Sequence, residues 1–173
     1  MTRFPPAGLR RLAVLAAVLL LAACEDGTPA AAAPVFPERF AMHGFERRFG
    51  YSQAVKSERT VYVSATFAVD AEGRLVGPDD FAAQLDAVYV NLARTLAAHG
   101  AQFEDVVLER IYVTDMDRFL AVSDRRFRYH AVNSLPALSV VEVRRLVDPG
   151  FLVAIEAVAE LPERVPAGGT EAR

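Results

Sequence analysis

The sequence predicts an α+β fold, a single β-sheet with two helices packed on one of its faces. Two observations lead there. Between residues 46 and 162 the apolar positions switch repeatedly between the alternation of a strand and the 3.6-residue recurrence of a helix. The order that results is strand, strand, helix, strand, helix, strand, strand, and the economical packing puts both helices on the same side. The opposite sheet face then remains partly apolar, which predicts assembly.

Taken in order, Arg59 to Thr66 (RTVYVSAT) is rich in β-branched and aromatic residues and reads as a strand. The preceding SQAVKSE reads as its hairpin partner, turning near Ser57-Glu58. Asp70-Ala71-Glu72-Gly73 is a turn signal. The segment DDFAAQLDAVYVNLARTLAAHG is the clearest helix, with Asp79 as N-cap after Pro78 and Gly100 as terminator. Phe81, Leu85, Val88, Leu92 and Leu96 recur on one face of it.

In the next strand, DVVLERIYVTD, Val107, Ile111 and Val113 are interrupted by Glu109, so its faces are not cleanly separated. Asp117 is placed to cap a second helix, DRFLAVSDRRFRYH, with Phe119, Val122 and Phe127 among its apolar positions. LSVVEV and LVAIEAVAE complete the sheet, parted by the turn signal Asp148-Pro149-Gly150.

The N-terminal stretch MTRFPPAGLRRLAVLAAVLLLAAC stands apart from this pattern. Arg3, Arg10 and Arg11 precede an apolar run, Leu12 to Ala23, that is shorter than the roughly 20 residues a bilayer span needs. A basic start, a short apolar core and small residues at its end describe a secretory signal. Leu21-Ala22-Ala23-Cys24 is similar to the lipobox of bacterial lipoproteins, which predicts lipid attachment at Cys24 and anchorage to a membrane. Cys24 is also the only cysteine, so the chain has no internal disulfide. The expected localisation is the cell envelope, on the periplasmic face. Glu25 is not the aspartate associated with inner-membrane retention, which favours the outer membrane. The expected organisation is a signal at 1–23, a flexible tether at 24–45 rich in Ala and Pro, a folded domain at 46–162 and an unstructured tail at 163–173.

The whole chain carries a formal charge of −3, and removing the three signal arginines leaves 16 basic against 22 acidic residues. Lys56 is the only lysine, and no basic cluster stands out, which argues against nucleic acid as a partner. There is no glycine-rich phosphate loop and no cysteine pair. His43, His99 and His130 are too far apart for a local metal motif and read as solvated structural residues. Ser64 and Ser139 lack a nucleophile's setting and read as locally bonded hydroxyls. Glu142 and Glu156 lie within apolar strands, where a carboxylate needs a partner, and Arg144 and Arg145 follow closely enough to supply one. Both read first as halves of structural ion pairs and second as a catalytic acid or base.

Several stretches together carry a resemblance. They are GYSQAVKSERTVYVSAT, the helix with Gln84, Asn91 and Gly100, DVVLERIYVTDMDRFLAV, LPALSVVEVRRL and VAIEAVAEL. In this order they resemble the RidA/YjgF family of imine and enamine deaminases, over about residues 48 to 161. The resemblance implies a chorismate mutase-like fold and a homotrimer, with sheets inward, helices outward and small-molecule pockets between adjacent subunits. It implies hydrolysis of reactive imines to 2-keto acids and ammonia, with neither metal nor organic cofactor.

The same comparison marks where this chain departs. Deaminating members carry an arginine after the Pro-Ala pair that grips the substrate carboxylate, and this chain has Leu138. The family pattern has two glutamates in the last strand, the first orienting water, and here they align with Ala154 and Glu156. Tyr51 and Ser64 are kept, Ala65-Thr66 replaces a common Gly-Gln, Ser123 stands for a frequent asparagine and Val140 for a frequent cysteine. The ligand pocket expected from the resemblance is therefore Tyr51, Ser64, Ser123, Leu138, Val140, Ala154 and Glu156. Arg110 or Arg144 is placed to replace the missing guanidinium from another direction. Three readings follow: a ligand-binding protein without the usual deaminase activity, a hydrolase of a different imine or enamine, and an interaction module with no small-molecule role.

Overall fold

The computed structural model describes residues 37–42 and 44–163. The expectations for the signal segment, for Cys24, for His43 and for residues 164–173 lie outside these residues. Six strands form one sheet: β1 (Glu38–Phe40), β2 (Ala54–Ser57), β3 (Thr60–Thr66), β4 (Val106–Val113), β5 (Ala137–Glu142) and β6 (Val153–Glu160). Their order is β1-β2-β3-β6-β4-β5, antiparallel throughout except for the parallel pair β4–β5. Among the described residues the α-helices are α1 (Gly44–Phe49), α2 (Phe81–Ala98) and α3 (Met116–Leu120).

The α+β class and the single sheet agree with the sequence. The expected hairpin is β2–β3, closed at Ser57↔Thr60 with Glu58 in the left-handed region at φ 54°. Such a turn suits the strands' twist. The expected α2 face, Phe81, Leu85, Val88, Leu92 and Leu96, is buried and joins Val61, Val63, Ile111, Val113, Val153 and Ile155 in the core. Ala101 N–H donates to Leu96 O and Gly100 N–H to Ala97 O, a Schellman closure made possible by Gly100 at φ 73°.

Four expectations are corrected. Asp80 rather than Asp79 caps α2, its carboxylate accepting from Ala83 N at 3.0 Å. Asp79 takes φ 57° and its side chain meets Arg118 instead. The second helix does not run from 117 to 130. It is the five-residue α3, capped by Asp115, followed by a 3-10 turn over Ser123–Arg128. Val122 leaves the helical region at φ −130°, and Ser123 Oγ donates back to Leu120 O, which closes the helix early. Residues 38–45, which the sequence reading places in the tether, hold β1 and the start of α1. Phe40 pairs with Ala54 in the sheet and packs edge-on against His99, so an apolar anchor orders the segment.

The fourth correction concerns His130, which is fully buried. Its Nε2 lies 2.9 Å from Glu109 Oε1, while Arg126 Nη2 donates to Glu109 Oε2 at 2.7 Å and Arg126 Nε to Tyr89 Oη at 3.1 Å. Val107 is an extra residue between the pairs Val106↔Ala159 and Leu108↔Val158. That irregularity turns Val107 outward and Glu109 inward, which is why the alternation in this strand looks broken.

Among the described residues nothing covers the sheet face opposite α2. Tyr62, Val107 and Val141 are exposed there, with Val55 and Val158 half-buried beside them. Among the described residues no helix is long and apolar enough to cross a membrane.

Candidate functional site

The chain just before β3 and the middle of β3 make the site. Ser64 N–H donates to Gln53 O at 2.9 Å, and the register with β6 then slips between Val63 and Thr66. The slip is held from inside: Gln53 Nε2 donates to Thr66 Oγ1 at 2.9 Å, and Ser64 Oγ donates to Ser52 O at 2.9 Å. Ser64 is thereby turned toward Tyr51, and the two share a cavity of about 280 Å³ with Phe45, Phe49, Ala65, Phe67 and Val147. Among the described residues no charged side chain lines it.

Four phenylalanines shape this cavity. Phe45 and Phe49 come from successive turns of α1, with ring centroids 4.7 Å apart. Phe67 stacks on Phe151 at 4.8 Å and 27°, and Phe45 meets Phe151 edge-on at 5.8 Å. Tyr51 Oη is shielded from solvent and has no hydrogen-bond partner among the described residues. Burial, and then the charge of Glu46, push the Tyr51 phenol up to about 12. It therefore stays protonated, a donor without an acceptor.

On the bare sheet face Ser64 also borders a groove with Tyr62, Arg110, Glu156 and Val158. Glu156 accepts from Tyr112 Oη at 3.2 Å, and Arg110 Nη1 approaches it at 3.6 Å. Its partner is Arg110, not Arg144 or Arg145 as the sequence suggested, because residues opposite each other on β4 and β6 share a face. Burial and then the Glu156 charge raise the Tyr112 phenol. Glu142 is exposed and accepts from Met116 N at 2.8 Å, so it too does without the two arginines.

One subunit does not gather all seven expected pocket residues. Tyr51 and Ser64 share the cavity, Ser64 and Glu156 share the groove, and Ala154 lies two residues before Glu156 on the same face of β6. Leu138 and Val140 stand on edge strand β5, beside Glu109 and Ile111 and so on the opposite face. Two strands intervene between β3 and β5, a separation of about 14 Å at the usual strand spacing. Ser123 is spent on Leu120 O and lines neither cavity.

Sequence reasoning missed Phe45, Phe49, Phe67 and Val147. The four-residue spacing of Phe45 and Phe49 in GFERRF was the available signal, but six residues are too few to establish a helical period. Among the described residues no group of three or more His, Cys, Asp or Glu side chains is arranged to hold a metal ion.

Comparison with known proteins agrees with this architecture. The model of a family described as endoribonuclease L-PSP matches residues 43–161. A 2-iminobutanoate/2-iminopropanoate deaminase of Capra hircus is 34% identical over 110 residues, covering 63% of this chain and 78% of that protein. Its counterpart in Mus musculus is 32% identical over 109 residues, covering 63% of this chain and 79% of the mouse protein. Among solved structures, a member of the YjgF/YER057c/UK114 family from Mycobacterium tuberculosis superposes with a TM-score of 0.63 at 34% identity. The match covers 73% of this chain and 100% of that one. RidA from an Antarctic Psychrobacter superposes with a TM-score of 0.59 at 31% identity, covering 64% and 88% of the two chains.

Proposed function

The chain belongs to the endoribonuclease L-PSP family, the family of RidA and YjgF, and from that premise we propose that it binds a small, uncharged or apolar molecule without hydrolysing 2-imino acids. The pockets are completed by neighbouring copies in a homotrimer. The chain is held at the cell envelope by lipid on Cys24.

What lines the cavity carries this reading. Tyr51 and Ser64 sit among phenylalanines, and the described lining holds no cation for a carboxylate. Leu138 stands where deaminating members carry the carboxylate-gripping arginine, and Ala154 where they carry the water-orienting glutamate. Removing one partner of a buried, hydrogen-bonded charge pair costs roughly 2–5 kcal/mol. At about 1.4 kcal/mol per tenfold, that weakens carboxylate binding on the order of 30- to 3,000-fold. Arg110 is the nearest substitute on the Ser64 side, but it already faces Glu156. The sheet face left bare by the described residues supports assembly, since further copies would cover its apolar side chains. Three arginines on the helix side are already paired with acids: Arg118 meets Asp79, and Arg125 and Arg128 both meet Asp86. That supports a partner other than RNA.

A second reading, hydrolysis of a different imine or enamine, is favoured by Glu156. It is a carboxylate in the same groove as Ser64, with a phenol donating to it.

The test follows 2-keto acid formation from an imine generated in place by an amino acid oxidase, using the full chain and Leu138→Arg. The expected result is no acceleration by the native chain and partial acceleration by the variant. Strong acceleration by the native chain would overturn the non-hydrolytic reading and direct attention to Glu156 and Arg110. Anchorage is tested separately. Radiolabelled palmitate is expected to enter the native chain in bacteria and to be lost with Cys24→Ser, and equal labelling of both would remove the lipoprotein assignment.

A further inference from the structure

Resting on the reading that copies of this chain meet through the sheet face opposite α2, we propose that Arg110 and Glu156 pair between copies and restrict the assembly to copies of this same chain. The register of the sheet supplies the pattern. Tyr62 stands opposite Val55 and Val158, and Val158 opposite Leu108, which makes an apolar row across the face. Ala154, Tyr112 and Val141 make a second row. Between the two, Arg110 stands opposite Glu156 on β6 and Ser139 on β5. One cation and one anion therefore lie in the middle of a largely apolar surface.

Pairing within one copy leaves both groups incomplete. Arg110 Nη1 lies 3.6 Å from Glu156 Oε2, too far for a hydrogen bond, and the guanidinium makes none among the described residues. Glu156 Oε2 accepts from Tyr112 Oη at 3.2 Å, while Oε1 has no donor among the described residues. The Arg110 side chain keeps 48% of its surface and that of Glu156 36%, so in a single copy both are solvated.

Covering the face removes that solvation. A charge taken out of water then needs an opposite charge, and hydrogen bonds for its remaining donors and acceptors. A second copy brings the complement of each, a fork of five N–H donors and a carboxylate with an oxygen to spare. The face is thus complementary to itself in charge. The pair adds selectivity more than adhesion, because the cost of drying both ions offsets much of their attraction. A chain of the same fold with a neutral residue at either position leaves one charge buried without its partner. Each such mismatch weakens association on the order of 30- to 3,000-fold.

The test exchanges the two charges. The double variant Arg110→Glu/Glu156→Arg keeps a pair within each copy and reverses its polarity. Native full chains and double-variant chains labelled with heavy nitrogen are unfolded together in urea, refolded, and weighed intact by native mass spectrometry. Each chain is expected to assemble with itself. A contact between native and variant copies sets guanidinium against guanidinium and carboxylate against carboxylate. Mixed assemblies are therefore expected about 30-fold or more below random mixing. Mixed assemblies at the random level overturn the proposal, since pairs kept within each copy would not sense a neighbour's polarity.

Should the double variant fail to refold or to assemble with itself, the single variants decide. Arg110→Glu and Glu156→Arg are each expected to sediment as single copies and to assemble when mixed. Assembly of either one alone, or none on mixing, overturns the pairing. The native chain by itself separates this from the broader reading. Native chains that stay single sink the assembly on which the proposal rests, whereas native trimers that mix freely with the double variant sink the pairing alone.

Discussion

Glu109 has no exposed surface, and it lies on the helix-covered face of β4 with Arg126 and His130 against its two oxygens. Burial alone would push its carboxyl up. Hydrogen bonds from His130 and Arg126 outweigh that and hold it below the ordinary carboxylate range. A carboxylate lowered in this way adds stability above its unfolded value, near pH 4.3. That contribution is lost as the pH falls through the folded value. Urea midpoints should therefore be flat from neutral pH to about 4.3 and drop below it, and Glu109→Gln should flatten the drop. The same variant leaves Arg126 buried without its anion, at an expected cost of about 3–5 kcal/mol at pH 7. A loss under 1 kcal/mol would mean that the network contributes little. In the sequence Glu109 is visible only as an interruption of an apolar alternation. Its partners lie 17 and 21 residues further on, across a turn whose path no local pattern specifies. Glu156 makes the same point with the opposite bias: its sequence neighbours Arg144 and Arg145 suggested a pairing that strand register gave to Arg110.

At the level of elements, the long period of α2 and the β2–β3 hairpin are legible in the sequence, whereas β1, α1 and the end of α3 are not. The 18 residues of α2 repeat their apolar face often enough for position, length and terminator to be clear. Its first residue was harder, because adjacent Asp79 and Asp80 have equal cap propensity and only the backbone path separates them. Asp80→Ala should lower stability by about 1 kcal/mol in denaturant unfolding. Asp79→Asn, at an exposed position that still tolerates φ > 0, should stay within about 0.5 kcal/mol. Equal losses at both would show that the cap is shared. β1 and α1 are not legible because three and six residues are too short to show a period, and the apolar anchors that hold them, Phe40 and Phe45, have partners distant in sequence. The second helix was read as too long, since a helical pattern of apolar residues continues past Leu120 although Ser123 closes the helix there.

For the whole molecule, the uncovered sheet face is the dominant feature, and on the proposed reading three copies bring their sheets together. Sedimentation of the full chain should report three copies, and Tyr62→Glu, which sets a charge in the middle of that face, should reduce it to one. An unaltered trimer in the variant would move the interface elsewhere. The sequence by itself determined the α+β class, the hairpin, α2 and the family, because these rest on periodicities and motifs that neighbouring residues carry together. It also supplied Tyr51, Ser64 and Glu156 as site candidates. Only the tertiary structure decided that Tyr51 faces a phenylalanine-lined cavity built partly from α1, that Glu109 is buried with Arg126 and His130, and that Leu138 stands at the far edge of the sheet from Tyr51. The physical reason is strand order. Inserting β6 between β3 and β4 sets which side chains meet, and that choice depends on the summed burial of the whole sheet rather than on any segment of the chain.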